Sequence, residues 1–475
     1  MGTTGRSPGE ESFARLPSED VASLTTDFAG EIVRPVDPGY DDAREIWNGM
    51  IDRCPALVAR CSGVADVVAA VNFAREQGLE VAVRGGGHNV AGTAVNDGGL
   101  VVDLSEMTAV RVDRETGTVR AEGGATLGDV DRETQLFGLA TALGAVSQTG
   151  IAGLTLNGGY GHCSREYGLA LDNLVGVDVV TADGRVRTAS RERNADLFWG
   201  LRGGGGALGI VTSFEYELHE VGPEVYAFFP WYRADDAPAV MARYREWIAD
   251  APRDAGVLVF TAHVPDLEEF PEAAWGESAI AMLGSYRGDA DADEVFGSLL
   301  EAATPLVDLS GEMAYVDLQS MLDEDYPDGL RYYWKAIYLE ELDDAIVDLM
   351  LEYTEAAPSA LSTLDLWHLD GAVADVPREE TAFWHRDKPH MLTVEANWED
   401  PEQDDANLEW ARGAIAAAET LPVASGRYGN FPGLEAEAAK LRYGGNYDRM
   451  VDLKTEYDPE NLFRLPGNVA PRVDD

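Results

Sequence analysis

The chain has 475 residues, a length that exceeds one ordinary core, so two domains or one domain with a large insertion are expected. Its 85 acidic residues against 36 basic ones give a formal net charge of −49, and only four residues are lysine. Nucleic acids and anionic membranes bind clusters of Lys or Arg, so neither is expected as a partner. The sequence predicts a small-molecule ligand instead and leaves the oligomeric state open.

The acidic residues are spread along the whole chain, which disfavours an acidic tail or a single acidic domain. Molar salt shortens the Debye length to about 3 Å and would relieve the self-repulsion, so a halophilic host is predicted. Residues 1–15 lack the basic start and apolar run of an export signal, and no stretch is apolar enough to cross a bilayer, so we expect a cytoplasmic protein. The odd number of cysteines favours free thiols.

Residues 1–40 are polar and aperiodic, and are predicted to be an arm that packs late or stays loose. A helix with Gly78 as its C-cap follows, and strands and hairpins then alternate with glycine-rich turns. The segments predicted for this half are the helices Val64–Gln77, Leu127–Leu136 and Ala195–Arg202 and the strands Glu80–Arg84, Leu100–Leu104, Val110–Asp113, Thr118–Glu122, Val175–Thr181, Arg185–Ala189 and Ile210–Leu218.

After about residue 221 glycine becomes rarer and aromatic residues more frequent. Strand patterns alternate with helical ones, which is typical of a sheet covered by helices. The predicted strands are Val225–Tyr232, Gly256–His263, Ser278–Tyr286, Leu330–Leu339 and His390–Trp398. The predicted helices are Pro238–Ala249, Asp293–Ala303, Asp344–Ala356 and Asn407–Leu421, followed by a segment from Leu434 to Phe463 that is helical in two pieces. The fold class expected is α+β.

Three glycine-rich turns fall in the first half, at Arg84–Asn89, Gly144–Gly161 and Gly203–Gly209. Glycines let backbone N–H groups converge on a ligand, and such concavities bind pyrophosphate, so a nucleotide cofactor is predicted. Neither the dinucleotide fingerprint G-x-G-x-x-G nor the phosphate loop G-x-x-x-x-G-K-[ST] is present in its required context. His162 and Cys163 are adjacent but have no further ligands at useful spacing, so no metal site is predicted.

The turns carry a specific resemblance. Val83–Asn89, Gly150–Gly153 with Gly158–Gly161, and Tyr167–Leu169 with Asp172–Asn173 resemble the FAD-binding domain of the berberine bridge enzyme group, in the vanillyl-alcohol oxidase superfamily. The final Tyr457–Phe463 resembles the C-terminal motif of the same group. The resemblance covers residues 55–222 and 425 to the end, and is weak between them.

The resemblance implies a two-domain, PCMH-type FAD-binding fold with a substrate domain of mixed sheet covered by helices. Its parts would be the arm (1–40), the FAD-binding domain (41–222), the substrate domain (223–425) and a C-terminal segment (426–475) that returns to the FAD. His88 matches the histidine that bonds covalently to the flavin. Some relatives add a cysteine tether at the position of Val146, so a single bond is expected here. The resemblance assigns cofactor binding to Arg84, Gly85, Gly86, Gly87, His88, Asn89, Gly92, Thr149, Gly150, Gly153, Gly158, Gly159, Gly161, Ser164, Gly168, Leu169, Asp172, Asn173, Gly209, Ile210, Val211, Asn430 and Asn468.

The resemblance also implies a base. Tyr428 lies in Tyr428–Phe431, which resembles a motif whose tyrosine reaches the substrate face of the flavin. A tyrosine acts as a base only if its pKa, about 10 when unperturbed, is lowered by a cation or by hydrogen bonds. Lys335, on the aromatic strand 332–338, is the candidate cation. The other interpretation of Tyr428 is a core tyrosine bonded to a backbone carbonyl.

The predicted activity is hydride transfer from an alcohol or sugar carbon to covalent FAD, with oxygen or a carrier as the final acceptor. The position of Thr149 is associated with valine in oxidases of the group and with leucine in dehydrogenases. Thr149 has the shape of valine but carries a hydroxyl, which favours an oxidase only slightly. A carrier-linked dehydrogenase and a flavin-binding protein without turnover remain the alternatives.

Overall fold

The computed structural model describes residues 16–26, 28–432, 439–464 and 467–472. Within them, the first half contains small sheets and short helices. Its strands are β1 (Glu31–Val33), β2 (Leu57–Arg60), β3 (Val81–Arg84), β4 (Leu100–Asp103), β5 (Val110–Asp113), β6 (Thr118–Glu122), β7 (Leu139–Ala140), β8 (Leu174–Val180), β9 (Val186–Ser190), β10 (Ile210–Glu217) and β11 (His219–Glu220). Its helices are α1 (Ser18–Thr26), α2 (Tyr40–Arg44), α3 (Val64–Gln77), α4 (Leu127–Thr134), α5 (Ile151–Leu156), α6 (Ser164–Tyr167) and α7 (Ala195–Leu201).

The second half forms a larger sheet with longer helices. Its strands are β12 (Glu224–Phe228), β13 (Pro230–Arg233), β14 (Ala255–His263), β15 (Ser278–Tyr286), β16 (Val307–Asp308), β17 (Gly311–Ala314), β18 (Arg331–Leu339), β19 (Thr363–His368), β20 (His390–Trp398) and β21 (Ala424–Ser425). Its helices are α8 (Ala237–Ile248), α9 (Ala292–Leu300), α10 (Tyr315–Ser320), α11 (Asp344–Glu355), α12 (Ala372–Asp375) and α13 (Asp404–Glu419), followed by α14 (Ala439–Tyr443) and α15 (Tyr447–Tyr457).

The strands up to β11 and the strands from β12 onward belong to separate sheets. The first half holds a four-stranded sheet in the order β1-β2-β4-β3, parallel except at β1, and an antiparallel sheet in the order β5-β6-β10-β8-β9. The second half holds one ten-stranded sheet built around β15-β14-β19-β20-β18. The predicted α+β class is confirmed.

The large sheet has two different faces because its strands alternate in period two. One face carries residues such as Ile337, Leu366 and Val394 into a core shared with α8, α11 and α13. The other face carries residues such as Ala336 and Met391, which pack against Tyr160 and Leu169 of the first half. The sheet therefore separates a helix-covered core from a face turned toward the glycine-rich turns.

Most predicted elements appear within one to three residues of their expected ends. Gly78 is the left-handed C-cap of α3, with φ 67°, as its position predicted. Val225–Tyr232 is not one strand, because the chain breaks at Phe229 into β12 and β13. Phe229 bonds instead to Ser310 and Leu309, and Pro230 has no N–H to donate to a ladder.

The described part of the predicted N-terminal arm packs against the first half of the chain, and the described part of the final segment is helical in two pieces, as predicted. In the described part of the predicted arm, Val21 and Leu24 of α1 are buried against α3, and β1 pairs with β2. Residues 1–15 lie outside the described residues, as do 434–438 of the predicted final helical segment, which is helical over α14 and α15. Lys454 of α15 is buried and donates hydrogen bonds to the carbonyls of Ala207 and Phe463 at 3.0 and 2.9 Å.

Candidate functional site

A long cavity runs along the glycine-rich turns of the first half. The turn after β3 meets the start of α5 so closely that a Cβ on Gly86 would lie 2.5 Å from the backbone nitrogen of Gly150. Gly87 has φ +74°, a left-handed conformation that favours glycine. Twelve of the predicted cofactor residues line this first cavity: Gly85, Gly86, Gly87, His88, Asn89, Thr149, Gly150, Gly153, Gly209, Ile210, Val211 and Asn430.

The walls of the first cavity suit a dinucleotide such as FAD. A Cβ added to Gly153 would meet no atom within 4 Å, so its backbone faces open space. Val81, Val83 and Leu104 give an apolar wall, and no Lys or Arg is among the lining residues. Backbone N–H groups of the glycine turns are therefore the groups available to a pyrophosphate, as the sequence predicted.

The remaining predicted cofactor residues do not line the first cavity. They are Arg84, Gly92, Gly158, Gly159, Gly161, Ser164, Gly168, Leu169, Asp172, Asn173 and Asn468. In the structure several of them make contacts within the protein that support the walls of this cavity. The guanidinium of Arg84 pairs with the buried Asp103 below the glycine turn. Asp172 forms a buried ion pair with Arg386, at 2.6 Å, and accepts the N–H of Leu169.

Three other residues of that set make similar contacts through their side chains. Asn173 donates to the carbonyl of Leu169 at 2.9 Å, and the Oγ of Ser164 accepts the N–H of Gly161 at 2.9 Å. Asn468 accepts a hydrogen bond from the hydroxyl of Tyr443 at 2.7 Å. The side chains of Asn173, Ser164 and Asn468 thus form hydrogen bonds within the protein itself.

A second cavity opens between the first half and the large sheet. His88, Thr149, Leu154 and Asn430 line both cavities, so the two cavities meet at these residues. Val146, the position of the second tether in some relatives, also lines the second cavity. Cys163 is buried beside the hydroxyl of Tyr315, at 3.8 Å, and is not among the residues that line either cavity.

His88 lies at the junction against an aromatic stack. Its imidazole stacks on Trp47 with ring centroids 4.7 Å apart, and Trp47 stacks in turn on Tyr332 at 3.7 Å. Burial lowers the pKa of His88 to about 4, because desolvation disfavours the imidazolium. The ring is therefore neutral at pH 7 and has a free lone pair, which covalent attachment to a flavin requires.

Tyr428 is buried beside the same junction, and its oxygen accepts two hydrogen bonds. The N–H of Gly159 donates to it at 3.0 Å and the side-chain amide of Asn430 donates at 2.9 Å. These donors and the charge of Arg442 lower the pKa, but burial is the larger effect and raises it to about 12. Both lone pairs of the phenol are thus occupied, and its own proton is directed elsewhere.

The structure does not bring Lys335 to Tyr428. Trp334 lines the second cavity, and neighbouring residues of a strand point to opposite faces, so Lys335 lies on the helix-covered side of β18. The cation whose charge acts on Tyr428 is Arg442, which bonds to the carbonyl of Gly203. The proposed role of Lys335 was wrong because the sequence did not indicate which face of β18 borders the site.

Most residues that line the second cavity were not predicted from the sequence. Its unpredicted walls are aromatic and acidic residues of three strands and four loops: Trp47, Tyr160, Tyr326, Trp334, Asp365, Trp367, Glu395 and Phe431. The available signal was a carboxylate inside an otherwise apolar strand, as in Leu364–Leu366 and Val394–Ala396. Such a residue is rarely buried without a partner or a function.

Metal sites and membrane-spanning helices can also be assessed over the described residues. No group of three or more His, Cys, Asp or Glu side chains in residues 16–26, 28–432, 439–464 and 467–472 is arranged to hold a metal ion. Over the same ranges, no helix combines the length and apolar character needed to cross a membrane.

Comparison with known proteins gives matches over both halves of the chain. Residues 55–190 match the FAD binding domain family, and residues 427–470 match the berberine and berberine-like family. The chain is 31% identical over 456 residues to (R)-6-hydroxynicotine oxidase of Paenarthrobacter nicotinovorans, covering 93% of this chain and 97% of that protein. It is 29% identical over 469 residues to glucooligosaccharide oxidase of Sarocladium strictum, covering 91% and 90%.

A solved structure extends the likeness to the whole fold. The structure of 6-hydroxy-D-nicotine oxidase from Arthrobacter nicotinovorans matches with a TM-score of 0.84 at 28% identity, covering 94% of this chain and 98% of that one. The PCMH-type fold and FAD as the cofactor, both implied by the resemblance to the berberine bridge enzyme group, are thereby confirmed.

Proposed function

This chain belongs to the berberine-like, FAD-linked oxidoreductases, and from that premise we propose that it oxidises a small molecule at a hydroxyl-bearing carbon in its second cavity. The observation that carries the proposal is the junction of the two cavities at His88, Thr149, Leu154 and Asn430. A flavin ring at that junction would border a separate, aromatic space of the size of a small ligand. FAD, when bound, supplies the hydride acceptor.

The residues of the chain supply orientation and proton handling. The phenol of Tyr428 points its proton away from its two donors, so it can bond to a substrate hydroxyl in the second cavity. As a base it would act in its phenolate form, which the N–H of Gly159 and the amide of Asn430 stabilise. Its raised pKa makes that form scarce at neutral pH, so the rate should depend on pH.

His88 is proposed as the single covalent tether. Its ring is neutral, is fixed by Trp47 and lines both cavities. Val146 offers no thiol for a second bond at the cavity wall. One tether through His88 is therefore the arrangement that these residues support.

Oxygen is proposed as the final acceptor. Thr149 lines both cavities and has the compact shape of valine, which supports access of a small molecule to the junction. A carrier-linked dehydrogenase is the alternative, supported by the hydroxyl that distinguishes Thr149 from valine.

We further propose that the protein works in a salt-rich cytoplasm. The net charge of −49 and the three free cysteines, Cys54, Cys61 and Cys163, support a reducing compartment with high ionic strength.

The proposed activity is tested by mixing the purified yellow protein anaerobically with a panel of alcohols, sugars and hydroxylated amines in molar salt. Bleaching of the flavin absorbance by any of them, and recovery on admission of air, supports an oxidase. Bleaching with recovery only on adding a dye or carrier identifies a dehydrogenase. A flavin that stays oxidised with the whole panel, but is bleached by dithionite, indicates a flavin-binding protein without turnover.

A further inference from the structure

We propose that the second cavity recognises a small organic cation, whose ammonium group lies against the carboxyl groups of Asp365 and Glu395. This inference rests on the proposed function, because it names the substrate class of the same site. The hydroxyl-bearing carbon of such a ligand would face the junction at His88, and its charged end would face the sheet.

The strand register brings the two carboxyl groups together. Asp365 of β19 lies opposite Thr393 of β20, and Glu395 is two residues further along β20, opposite Trp334 of β18. Residues two apart on a strand share a face, so Asp365 and Glu395 are diagonal neighbours on the cavity side. Both line the second cavity.

Within the part of the chain that the structure describes, no Lys or Arg forms an ion pair with Asp365 or Glu395. Asp365 is 5% exposed, and its Oδ1 has no hydrogen-bond partner. Glu395 is 3% exposed and, among the described residues, accepts hydrogen bonds from the hydroxyls of Tyr326, at 2.9 Å, and Thr393, at 3.1 Å. The residues that line the second cavity include no Lys or Arg.

Electrostatics also favour a cation over a neutral group as the ligand of this pair. Burial raises the pKa of both carboxyl groups, and the charge of Glu395 raises that of Asp365 further. Among the described residues that line the cavity, the basic side chain is His88, whose own pKa burial lowers to about 4. A bound ammonium group would offset the cost of ionising these buried acids, whereas a neutral hydroxyl would leave much of it in place.

Aromatic rings complete the wall around the pair. Trp334 lies across the strands from Glu395, and Trp367 is two residues after Asp365 on the same face. Tyr160 packs edge-on to Trp367 at 4.6 Å, and both line the cavity. Aromatic faces attract alkylated ammonium groups and cost little in desolvation, so rings and carboxyl groups together favour a cation over a neutral polyol.

Choline and its uncharged isostere 3,3-dimethylbutan-1-ol test the inference, because they share shape and hydroxyl and differ in charge. Binding to the FAD-loaded protein is measured anaerobically, by perturbation of the flavin spectrum and by calorimetry, in 1 M NaCl to screen surface charge. Choline should bind about tenfold more tightly or better. Asp365→Asn and Glu395→Gln should reduce that ratio to about twofold or less, whereas Asp131→Asn, a buried acid outside the cavity lining, should leave it unchanged.

Equal binding of the two isosteres, or tighter binding of glucose than of choline, overturns the inference. Melting curves identify any variant that fails to fold. Should both acid variants unfold, the wild-type comparison of choline with its isostere still decides the question. The proposed function fails separately, if the flavin resists reduction by every compound while choline still binds preferentially. Bleaching by neutral alcohols, with no preference for the cation, overturns this inference and leaves the proposed function in place.

Discussion

The indole of Trp47 stacks on the imidazole of His88 with ring centroids 4.7 Å apart and an angle of 15° between their planes. The indole nitrogen donates to the carbonyl of Tyr326 at 2.8 Å, and Tyr332 covers its other face. The orientation of His88 is thus set by a residue that precedes the glycine turn by about forty positions and is itself fixed by the second half of the chain.

The first prediction concerns flavin attachment. Trp47→Leu should slow covalent attachment by about tenfold, because an aromatic stack contributes about 0.5–1.5 kcal/mol to holding the ring. Trp47→Phe should slow it much less. The yellow colour that stays in the acid-precipitated pellet after timed incubation of apoprotein with FAD measures the rate. His88→Ala should release all colour to the supernatant, and colour lost wholly from the wild type would refute the tether.

The second prediction concerns Tyr428. Tyr428→Phe should retain the flavin, slow its anaerobic reduction by about 100-fold or more and leave reoxidation by oxygen nearly unchanged. Because the pKa of Tyr428 is raised to about 12, the phenolate fraction grows with each pH unit below that value. Reduction of the wild type should therefore accelerate between about pH 7 and 10, and the Phe variant should lose this dependence. Stopped-flow absorbance measures both. Equal reduction rates would exclude Tyr428 as the base.

The third prediction concerns Asp131, a buried acid where α4 meets α10. The amide of Gln319 donates to its Oδ2 at 3.0 Å, whereas its Oδ1 and the Oε1 of Gln319 are both without a partner. Burial raises the pKa of Asp131 from 3.8 to about 7. The folded state then holds a proton that the unfolded state has released, so this group lowers stability as pH rises from 3.8 to 7.

Asp131→Asn should consequently stabilise the protein at pH 8 by about 1–3 kcal/mol and change little at pH 4, since an amide can donate to Gln319 as the protonated acid does. Denaturant unfolding at both pH values measures the difference. Asp289→Asn, at an exposed site, controls for the loss of one negative charge. A variant less stable than wild type at pH 8 would show that Asp131 is ionised and useful in the fold.

The fourth prediction concerns salt. With a net charge of −49, the melting temperature should rise by about 10 °C or more between about 0.1 and 2 M KCl, because screening removes self-repulsion. Sucrose at equal osmolality should raise it far less, since it does not screen charge. A flat curve in KCl would show that the folded chain tolerates its charge without salt.

Local patterns predicted the elements of this fold well. Strand-like runs of the sequence located β15 and β20 to the residue, and Gly78 marked the end of α3. The break at Phe229 had one local signal, Pro230 inside the predicted strand, but it also depends on pairing with distant Ser310. Strand β1 and helix α1 were not predicted, because their few apolar residues are buried only through contacts with distant α3 and β2.

The site was predictable where backbone geometry defines it and not where packing does. Gly85, Gly86 and Gly150 of the first cavity are required by close approach of the chain to itself, which leaves a mark in the sequence. Lys335 and the Asp365–Glu395 pair depend on which face of β18, β19 and β20 turns toward the first half. That choice is made by tertiary packing and has no counterpart in local spacing.

Phe463 lines the first cavity together with Val81, although nearly the whole chain separates them. Lys454 fixes Phe463 and Ala207 through their carbonyls. Residues far apart in the sequence therefore form one wall of the cofactor site. A chain that ends before Phe463 would lack part of that wall, so we expect such a truncation to weaken the retention of FAD.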